Sequence, residues 1–414
     1  MRRFAFFSKK SYRALYFLLV LTIIWESADT AFTYVLPVIL QERFNDLTLL
    51  GIVVSLGAVA SICIDLLTGW KFARKHYRFF YITGFIASLM ISVLANFPML
   101  IIFTFMSVLG GIYYELFFFG TEDFIAREVD YQDHTKASSM VVLAMTLSAL
   151  FIPVFISDAI NNGEYGSSFW AFNILILIAL ATFLIYTIGR RHNVEKQDVR
   201  VKRISLLVEL RVWKLLSKDS GIYLFLLIFM SIQDAFFWTL GAIFAVQYSV
   251  VNHYSQLLIP LYMLPGLITG LVAGRLQSKG SKERLSLVLF AISGVILALF
   301  YLTDDIPLLL VLTFLSSFFS TLSYNFLDSL FNDFVSRLNE DGNYMLGLRG
   351  VASDVAYVIG PIIAGFIAQN VGVRNSFGFI GLLTGILGTA IFLFHPHKVR
   401  IEEQKVEELE QVNN

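Results

Sequence analysis

The chain has 414 residues, of which 57% are hydrophobic and only 15% are charged. Soluble globular proteins are about 45–50% apolar and about 25% charged, so this composition excludes an ordinary water-soluble domain. The formal net charge is zero, which gives no electrostatic support for nucleic-acid binding. The single cysteine, Cys63, excludes an intrachain disulfide and a cysteine-based metal site. We therefore expect no nucleic-acid partner and no cofactor.

Apolar segments separated by charged residues, glycine, proline or asparagine recur along the whole chain. An α-helix of about 20 apolar residues crosses a hydrocarbon core of about 30 Å, and a helix satisfies its own backbone hydrogen bonds in lipid. The sequence therefore predicts twelve transmembrane spans, which we number 1 to 12. They cover roughly residues 14–38, 47–70, 79–96, 98–120, 137–158, 168–189, 221–247, 255–275, 284–301, 306–330, 344–368 and 375–395.

Lysine and arginine are concentrated in the N-terminal segment, in every second loop and in the C-terminal tail. All of the 31 basic residues except Arg43 and Arg374 fall on one side of the membrane when the spans are threaded in order. Because cytoplasmic loops are enriched in lysine and arginine, both termini are predicted to lie in the cytoplasm. The compact chain and short loops favour a bacterial cytoplasmic (inner) membrane.

The longest loop lies in the middle of the chain and separates two halves of six spans each. The predicted domains are a first six-helix bundle (1–189), a cytoplasmic linker (190–219), a second six-helix bundle (220–396) and a cytoplasmic tail (397–414). Within the linker, residues 204–216 place apolar side chains near one helical face and basic side chains on the others. This pattern predicts an interfacial helix that lies on the inner leaflet.

The two halves carry matching residues at nearly constant separations. In chain order, the matches are Asp29 with Asp234, Asp123 with Asp333 and Pro153 with Pro361, at separations of 205, 210 and 208 residues. Their collinear order indicates an internal duplication. The predicted fold class is therefore an all-α membrane protein with twelve transmembrane helices in two pseudo-symmetric six-helix bundles.

A glycine-containing basic segment follows span 2, and a weaker copy lies at the end of span 8. The first is DLLTGWKFARKHYR at residues 65–78, and the second is GLITGLVAGRLQSKGSK at residues 266–282. In composition and position they resemble the signature of the major facilitator superfamily, and the resemblance extends over nearly the whole chain. It implies a transporter that works by alternating access, and small-molecule or drug efflux members are the ones the chain resembles.

The resemblance also implies a cytoplasmic gate. Its residues would be Asp65, Gly69, Arg74, Arg78, Gly270, Arg275 and Lys279. The two glycines would allow close helix contact, and Arg74 and Arg275 would join the gate interactions. The acidic residue that the family carries just before the first arginine is Ala73 here, and Asp65 two helical turns upstream is expected to supply that carboxylate. The alternative, in which the basic residues only set the topology, stays open.

Apart from Asp65 and Asp158, six carboxyl groups fall within the predicted spans, where a charged group costs about 2.5–3.5 kcal/mol at mid-helix on insertion scales. They are Glu26 and Asp29 in span 1, Glu115 in span 4, Asp234 in span 7, Asp328 in span 10 and Asp354 in span 11. The resemblance implies that spans 1, 4, 7 and 10 line a central cavity. With Trp238 and Asn325, these acids are the predicted substrate- and proton-binding residues. Each acid could instead hydrogen-bond a neighbouring helix.

No lysine or arginine is predicted deep within a span, so the acids are expected to have no internal counter-ion. Phosphate and carboxylate ligands are usually held by arginine, and an acidic, aromatic cavity favours neutral or cationic amphipathic solutes instead. Burial favours the protonated form of a carboxyl group. Glu26, Asp29 and Asp234 are therefore predicted to exchange protons near neutral pH.

The leading hypothesis is a monomeric secondary active transporter, not an enzyme, that couples protons to the efflux of a small organic solute. Span 5 has Ile152-Pro153 where drug–proton antiporters typically have Gly-Pro, which weakens this direction. The first alternative is a proton-coupled symporter for nutrient uptake. The second, from another class, is a lipid flippase or membrane-embedded enzyme, and the sequence contains no P-loop pattern for an ATP-driven pump.

Overall fold

The computed structural model describes residues 9–68, 72, 75–95, 97, 99–161, 165–188, 206–276, 281–338 and 342–394. Every regular element within these ranges is a helix, which confirms the predicted all-α class. The tail at 397–414 and the linker up to residue 205 lie outside the described residues. So do three predicted gate residues, Gly69, Arg74 and Lys279.

The first compact unit combines Met1–Asn45 with Leu56–Val201. Its helices are α1 (Lys9–Phe44), most of α2 (Leu47–Leu67), α3 (Tyr77–Leu94), α4 (Leu100–Glu128), α5 (His134–Asn161) and α6 (Tyr165–Ile188). Helix α1 packs on α5 and α6, and α3 packs on α4. Helices α2 and α4 approach backbone to backbone, because a Cβ added at Gly111 would collide with the carbonyl of Gly57.

The second compact unit combines Asp46–Ser55 with Lys202–Asn414. Its helices are α7 (Leu206–Ser249), α8 (Leu258–Met263), α9 (Thr269–Leu276), α10 (Lys282–Ala298), α11 (Ile306–Leu338), α12 (Gly342–Val371) and α13 (Val373–Phe394). Helix α7 packs on α12, and α10 packs on α11 and α13. At the α10–α13 contact, a Cβ added at Gly294 would collide with the backbone nitrogen of Gly385, so glycine is what allows these helices to touch.

Eleven helices in the described part of the chain are long and apolar enough to cross a membrane. A bent pair makes the twelfth candidate, His253–Leu267 followed by Thr269–Leu276, with 41° between the two pieces. Number and order agree with the twelve predicted spans, but span 8 is broken rather than continuous. Pro265 lies in the short 3-10 helix Leu264–Leu267 between α8 and α9. A proline has no backbone N–H and its ring clashes with an α-helix, which accounts for the break.

The predicted interfacial helix is not a separate element. Helix α7 begins at Leu206 and runs without interruption for 44 residues. Val212 and Leu216 are 0% and 3% exposed, and they belong to a core cluster with Phe331 and Phe334 of α11. At Val212, the apolar side of this segment therefore packs within the second unit.

The internal duplication is visible in one polar contact of each half. In the first unit, Asp123 of α4 accepts a 2.7 Å hydrogen bond from the backbone N–H of Tyr77, at the start of α3. In the second unit, Asp333 of α11 accepts a 2.5 Å bond from Nζ of Lys282, the first residue of α10. Each aspartate ties the fourth span of its half to the beginning of the third, where a helix N-terminus favours negative charge.

Candidate functional site

The first unit contains two buried carboxyl groups one turn apart on α1. Glu26 and Asp29 are 8% and 9% exposed. The phenol of Tyr113, on α4, donates a hydrogen bond to Oδ1 of Asp29. Trp25 forms one wall, stacked on Phe117 with ring centroids 4.4 Å apart and planes 6° from parallel. The predicted acids of span 1 therefore face the aromatic side chains of α4.

Two polar atoms of this cluster lack a partner among the described residues. They are Oε2 of Glu26 and Nε1 of Trp25, both buried. A buried polar group without a hydrogen bond is costly, and an ionised one far more so. Asp29 therefore has a hydrogen-bond donor, whereas Glu26 needs either a proton or a hydrogen-bond donor from a bound solute.

Asp65 and Glu115 form a second acidic contact in the first unit. The carboxyl group of Asp65, on α2, interacts with that of Glu115, on α4. Two neighbouring carboxylates repel each other, so this proximity favours a proton on one of them. The structure thus brings a predicted gate residue together with a predicted proton-binding residue.

In the second unit, Asp234 of α7 lies among hydrogen-bond donors. Oδ1 accepts a 2.6 Å bond from the phenol of Tyr262, on the bent eighth span. Oδ2 accepts a 2.5 Å bond from the phenol of Tyr357, on α12. The indole of Trp238, one turn along α7, also donates to the carboxylate. Three donors from three helices converge on this one acid.

A cavity of about 240 Å³ adjoins Asp234. Besides Asp234 and Met230, its lining consists of side chains that carry a hydroxyl group: Ser231, Tyr262, Ser320, Thr321, Tyr324, Ser353 and Tyr357. Hydroxyl groups both donate and accept hydrogen bonds. The cavity therefore suits a small solute with several hydrogen-bonding groups, and Asp234 adds a negative charge for a cationic one.

The expectation that the acids have no internal counter-ion is wrong for Asp328. Arg349 of α12 forms an ion pair with Asp328 of α11. It also donates a 3.0 Å hydrogen bond to the phenol of Tyr324, a cavity-lining residue. Arg349 lies seven residues after the first residue of α12. It is so close to the beginning of predicted span 11 that the sequence analysis counted it with the basic residues of the preceding loop.

Asn325 and Asp354 lie at the margin of the cavity. Each is half-buried and follows a lining residue in sequence, Asn325 after Tyr324 and Asp354 after Ser353. Successive residues of a helix point about 100° apart, so neither is among the lining side chains. Their role in substrate or proton binding stays a prediction.

Of the predicted gate residues that the structure describes, Asp65 and Arg78 lie in the first unit and Gly270 and Arg275 in the second. Gly270 and Arg275 lie on α9, and a Cβ added at Gly270 would meet no described atom within 4 Å. The close helix contact at Gly270 therefore stays a prediction. Arg78 lies at the start of α3, with its guanidinium 5.9 Å from the centroid of the Tyr77 ring.

His76 precedes α3 and caps it, because its Nδ1 accepts a 3.2 Å hydrogen bond from the N–H of Arg78. Burial lowers the pKa of His76, and the positive charge of Arg127 lowers it further. The neutral ring is the form that can accept this bond.

Three tyrosines donate hydrogen bonds to the buried aspartates of the two sites and were not predicted: Tyr113, Tyr262 and Tyr357. The signal that was available is the position of each of the three phenols within an apolar span, where an OH group needs an acceptor from a neighbouring helix.

A family model described as Major Facilitator Superfamily matches residues 17–336 and, in a second placement, residues 235–412. No curated protein matches the chain at a significant level.

Solved structures match over nearly the full length at low sequence identity. A POT family transporter in complex with 5-aminolevulinic acid has a TM-score of 0.69 and 13% identity, with 94% of this chain and 98% of that chain covered. The nucleoside transporter NupG has a TM-score of 0.69 and 12% identity, with coverage of 92% and 100%. A bacterial homolog of the human lysosomal transporter Spinster, inward-facing and unoccupied, has a TM-score of 0.69 and 12% identity, with coverage of 93% and 97%. At these identities the likeness shows the fold.

Proposed function

Since this chain belongs to the major facilitator superfamily, we propose that it is a proton-coupled secondary transporter that moves a small organic solute by alternating access. The observation that carries the proposal is the placement of buried carboxyl groups on matching helices of the two halves. Asp29 on α1 and Asp234 on α7 each accept a hydrogen bond from a tyrosine of another helix. Ionisable groups at membrane depth are expensive to keep and mark ion or substrate pathways.

The solute that best fits the second unit is small, amphipathic, and neutral or cationic. The cavity wall combines hydroxyl groups with aromatic rings, and Asp234 contributes a negative charge. Outward transport, in exchange for protons, is the direction we propose. An acidic and aromatic wall binds amphipathic cations through charge attraction and cation–π contact, and such compounds are common cargo for export.

Uptake of a polar nutrient is the second candidate. The hydroxyl-bearing lining favours it, because such side chains match the hydrogen-bonding groups of hydrophilic solutes. One of the structural neighbours is a nucleoside transporter, and another was solved with 5-aminolevulinic acid bound. Both candidates use the same cavity and differ in the side from which the solute is loaded.

We further propose that the protein acts as a single chain in a bacterial cytoplasmic membrane, with both termini in the cytoplasm. The distribution of lysine and arginine supports this orientation, since Arg43 and Arg374 are the basic residues on the other side.

The function is tested in liposomes that contain the purified protein and an imposed pH gradient. Three radiolabelled probes represent the solute classes: uridine is neutral and hydroxylated, 5-aminolevulinic acid is zwitterionic, and tetraphenylphosphonium is a hydrophobic cation. At least one probe is expected to move with the gradient in wild type and in Asp305→Asn, an exposed carboxyl group outside the sites. Asp234→Asn is expected to abolish the movement. If no probe moves in either direction under any gradient, the proposal is wrong.

A further inference from the structure

We propose that the two halves have different roles in coupling proton and solute movement. Glu26 carries the exchangeable proton, and Asp234 stays ionised as the fixed charge of the solute cavity. This inference rests on the proposed function and assigns different roles to acids that the sequence treated alike. It follows from the different hydrogen-bond surroundings of the two groups.

Asp234 is held in the charged form by its donors. The Tyr262 phenol donates to one carboxylate oxygen and the Tyr357 phenol to the other. Trp238 donates through its indole N–H, a group that cannot accept. Protonation of Asp234 would turn one of the two phenols from a donor into an acceptor, and the hydrogen of that phenol would then need another acceptor. Hydrogen bonds to the charged form of an acid favour that form.

Glu26 has the opposite surroundings. Its Oε2 is buried without a donor among the described residues, and the charged group that faces it is Asp29, of the same sign. The Tyr113 phenol, a donor on the facing helix, is already engaged by Asp29. An ionised Glu26 would therefore be a buried, unpaired charge beside a second carboxylate. The protonated form removes the charge, so Glu26 is the group that needs the proton.

The helices packed on α1 bring no basic group to Glu26 in the described part of the chain. Helix α4 presents two titratable side chains, Tyr113 and Tyr114. Helix α5 presents Ser148, whose hydroxyl is 3.3 Å from that of Ser27. Helix α6 presents Phe172, in ring contact with Tyr113. The proton of Glu26 is thus exchanged with water when the site opens, with the carboxyl O–H bond breaking and the proton leaving as hydronium.

Infrared titration of the purified protein tests this assignment without a solute. A protonated carboxyl group absorbs at a different frequency from an ionised one, so the band that disappears as the pH is raised reports the proton-carrying group. We expect this band in wild type and in Asp234→Asn, and its loss in Glu26→Gln. Glu42→Gln, an exposed carboxyl group on the same helix, is the matched control and keeps the band. Loss of the band in Asp234→Asn with retention in Glu26→Gln would overturn the assignment, as would a wild type with no titrating band.

Glu115→Gln separates the second acidic contact from the first. Because Glu115 interacts with Asp65, this variant can remove a band of its own, and the Glu26 band must remain. If the titrating band were lost in Glu115→Gln and kept in Glu26→Gln, the exchangeable proton would belong to the Asp65–Glu115 pair. The proposal would then be wrong.

Exchange transport in liposomes distinguishes failure of this inference from failure of the proposed function. With tetraphenylphosphonium or uridine on both sides, solute exchange needs no net proton movement. Glu26→Gln is expected to retain exchange within about twofold of wild type and to lose accumulation driven by a pH gradient, while Asp234→Asn loses at least about tenfold in apparent affinity. If wild type transports and Glu26→Gln still accumulates solute with the gradient, the division of roles is wrong. If wild type transports nothing, the proposed function fails instead.

Discussion

Tyr262 donates a 2.6 Å hydrogen bond to Asp234, and this contact links the bent eighth span to helix α7. The bend itself frees the backbone carbonyl of Tyr262, which accepts a hydrogen bond from the hydroxyl of Ser317, on α11. A single tyrosine is therefore held at both its backbone and its side chain. The position of the break in span 8 and the hydrogen bonding of the buried acid are thereby connected.

Replacing Tyr262 by phenylalanine is expected to destabilise the protein and weaken solute binding. The change removes one donor from a buried carboxylate while keeping the ring that stacks on Phe237 with centroids 3.9 Å apart. Leaving a buried acceptor unsatisfied costs about 1–3 kcal/mol. Thermal unfolding of Tyr262→Phe is compared with that of Tyr254→Phe, an exposed tyrosine of the same span. Equal melting temperatures for the two variants would show that the bond contributes nothing.

The Arg349–Asp328 ion pair is expected to couple α11 and α12 energetically. The side chains are 22% and 34% exposed, so the pair is neither fully solvated nor fully buried. Arg349→Gln and Asp328→Asn should each destabilise the protein, and the double variant should be less destabilised than the sum of the two. Residues in direct contact show interaction energies of about 0.5–3 kcal/mol. A double-mutant cycle on unfolding free energies measures this, and strict additivity would contradict the contact.

Gly294 is expected to tolerate no side chain. Its Cβ position is occupied by the backbone of α13, at Gly385, so Gly294→Ala must push the two helices apart. Overpacking of this kind costs about 1–3 kcal/mol. Gly270→Ala is the matched control because that position faces open space among the described residues, and alanine is the better helix former there. A loss of stability in Gly270→Ala equal to that in Gly294→Ala would contradict the packing.

His76 is expected to make the stability of the first unit depend on pH. Because burial lowers the pKa of His76 in the folded protein, the unfolded chain binds the proton more readily. The stabilisation from the neutral ring is therefore present above the usual histidine value of about 6.5 and is lost as the pH falls below it. Wild type is expected to lose more thermal stability between neutral and mildly acidic pH than His76→Asn, whose amide caps the helix without titrating. Parallel pH profiles would contradict this assignment.

Most of the architecture was predictable because span length and apolar composition are local properties. The spans, their order and the internal duplication follow from them. The matched positions of Asp29 and Asp234 indicated the two acid sites, because a carboxyl group in an apolar span is conspicuous by itself.

The partners of those acids were not predictable in the same way. Which tyrosine reaches Asp234 depends on the rotation of α12 and on the bend at Pro265, and both are set by packing between helices. The ion pair of Arg349 was not predicted because a long basic side chain near the end of a span is compatible with a loop position or with a buried ion pair. Gly270 illustrates the converse, since a glycine in a family motif indicates a close contact that the described residues do not include.

The most direct test of proton coupling is the pH change that accompanies solute binding in weakly buffered detergent solution. A transported probe from the liposome assay is added to wild type, to Glu26→Gln and to Asp234→Asn near neutral pH. Proton-coupled exchange predicts that wild type releases protons as it binds, that Glu26→Gln binds without release, and that Asp234→Asn does neither. Binding to wild type with no proton release or uptake at any pH near neutrality would contradict coupling and leave a transporter that is not driven by protons.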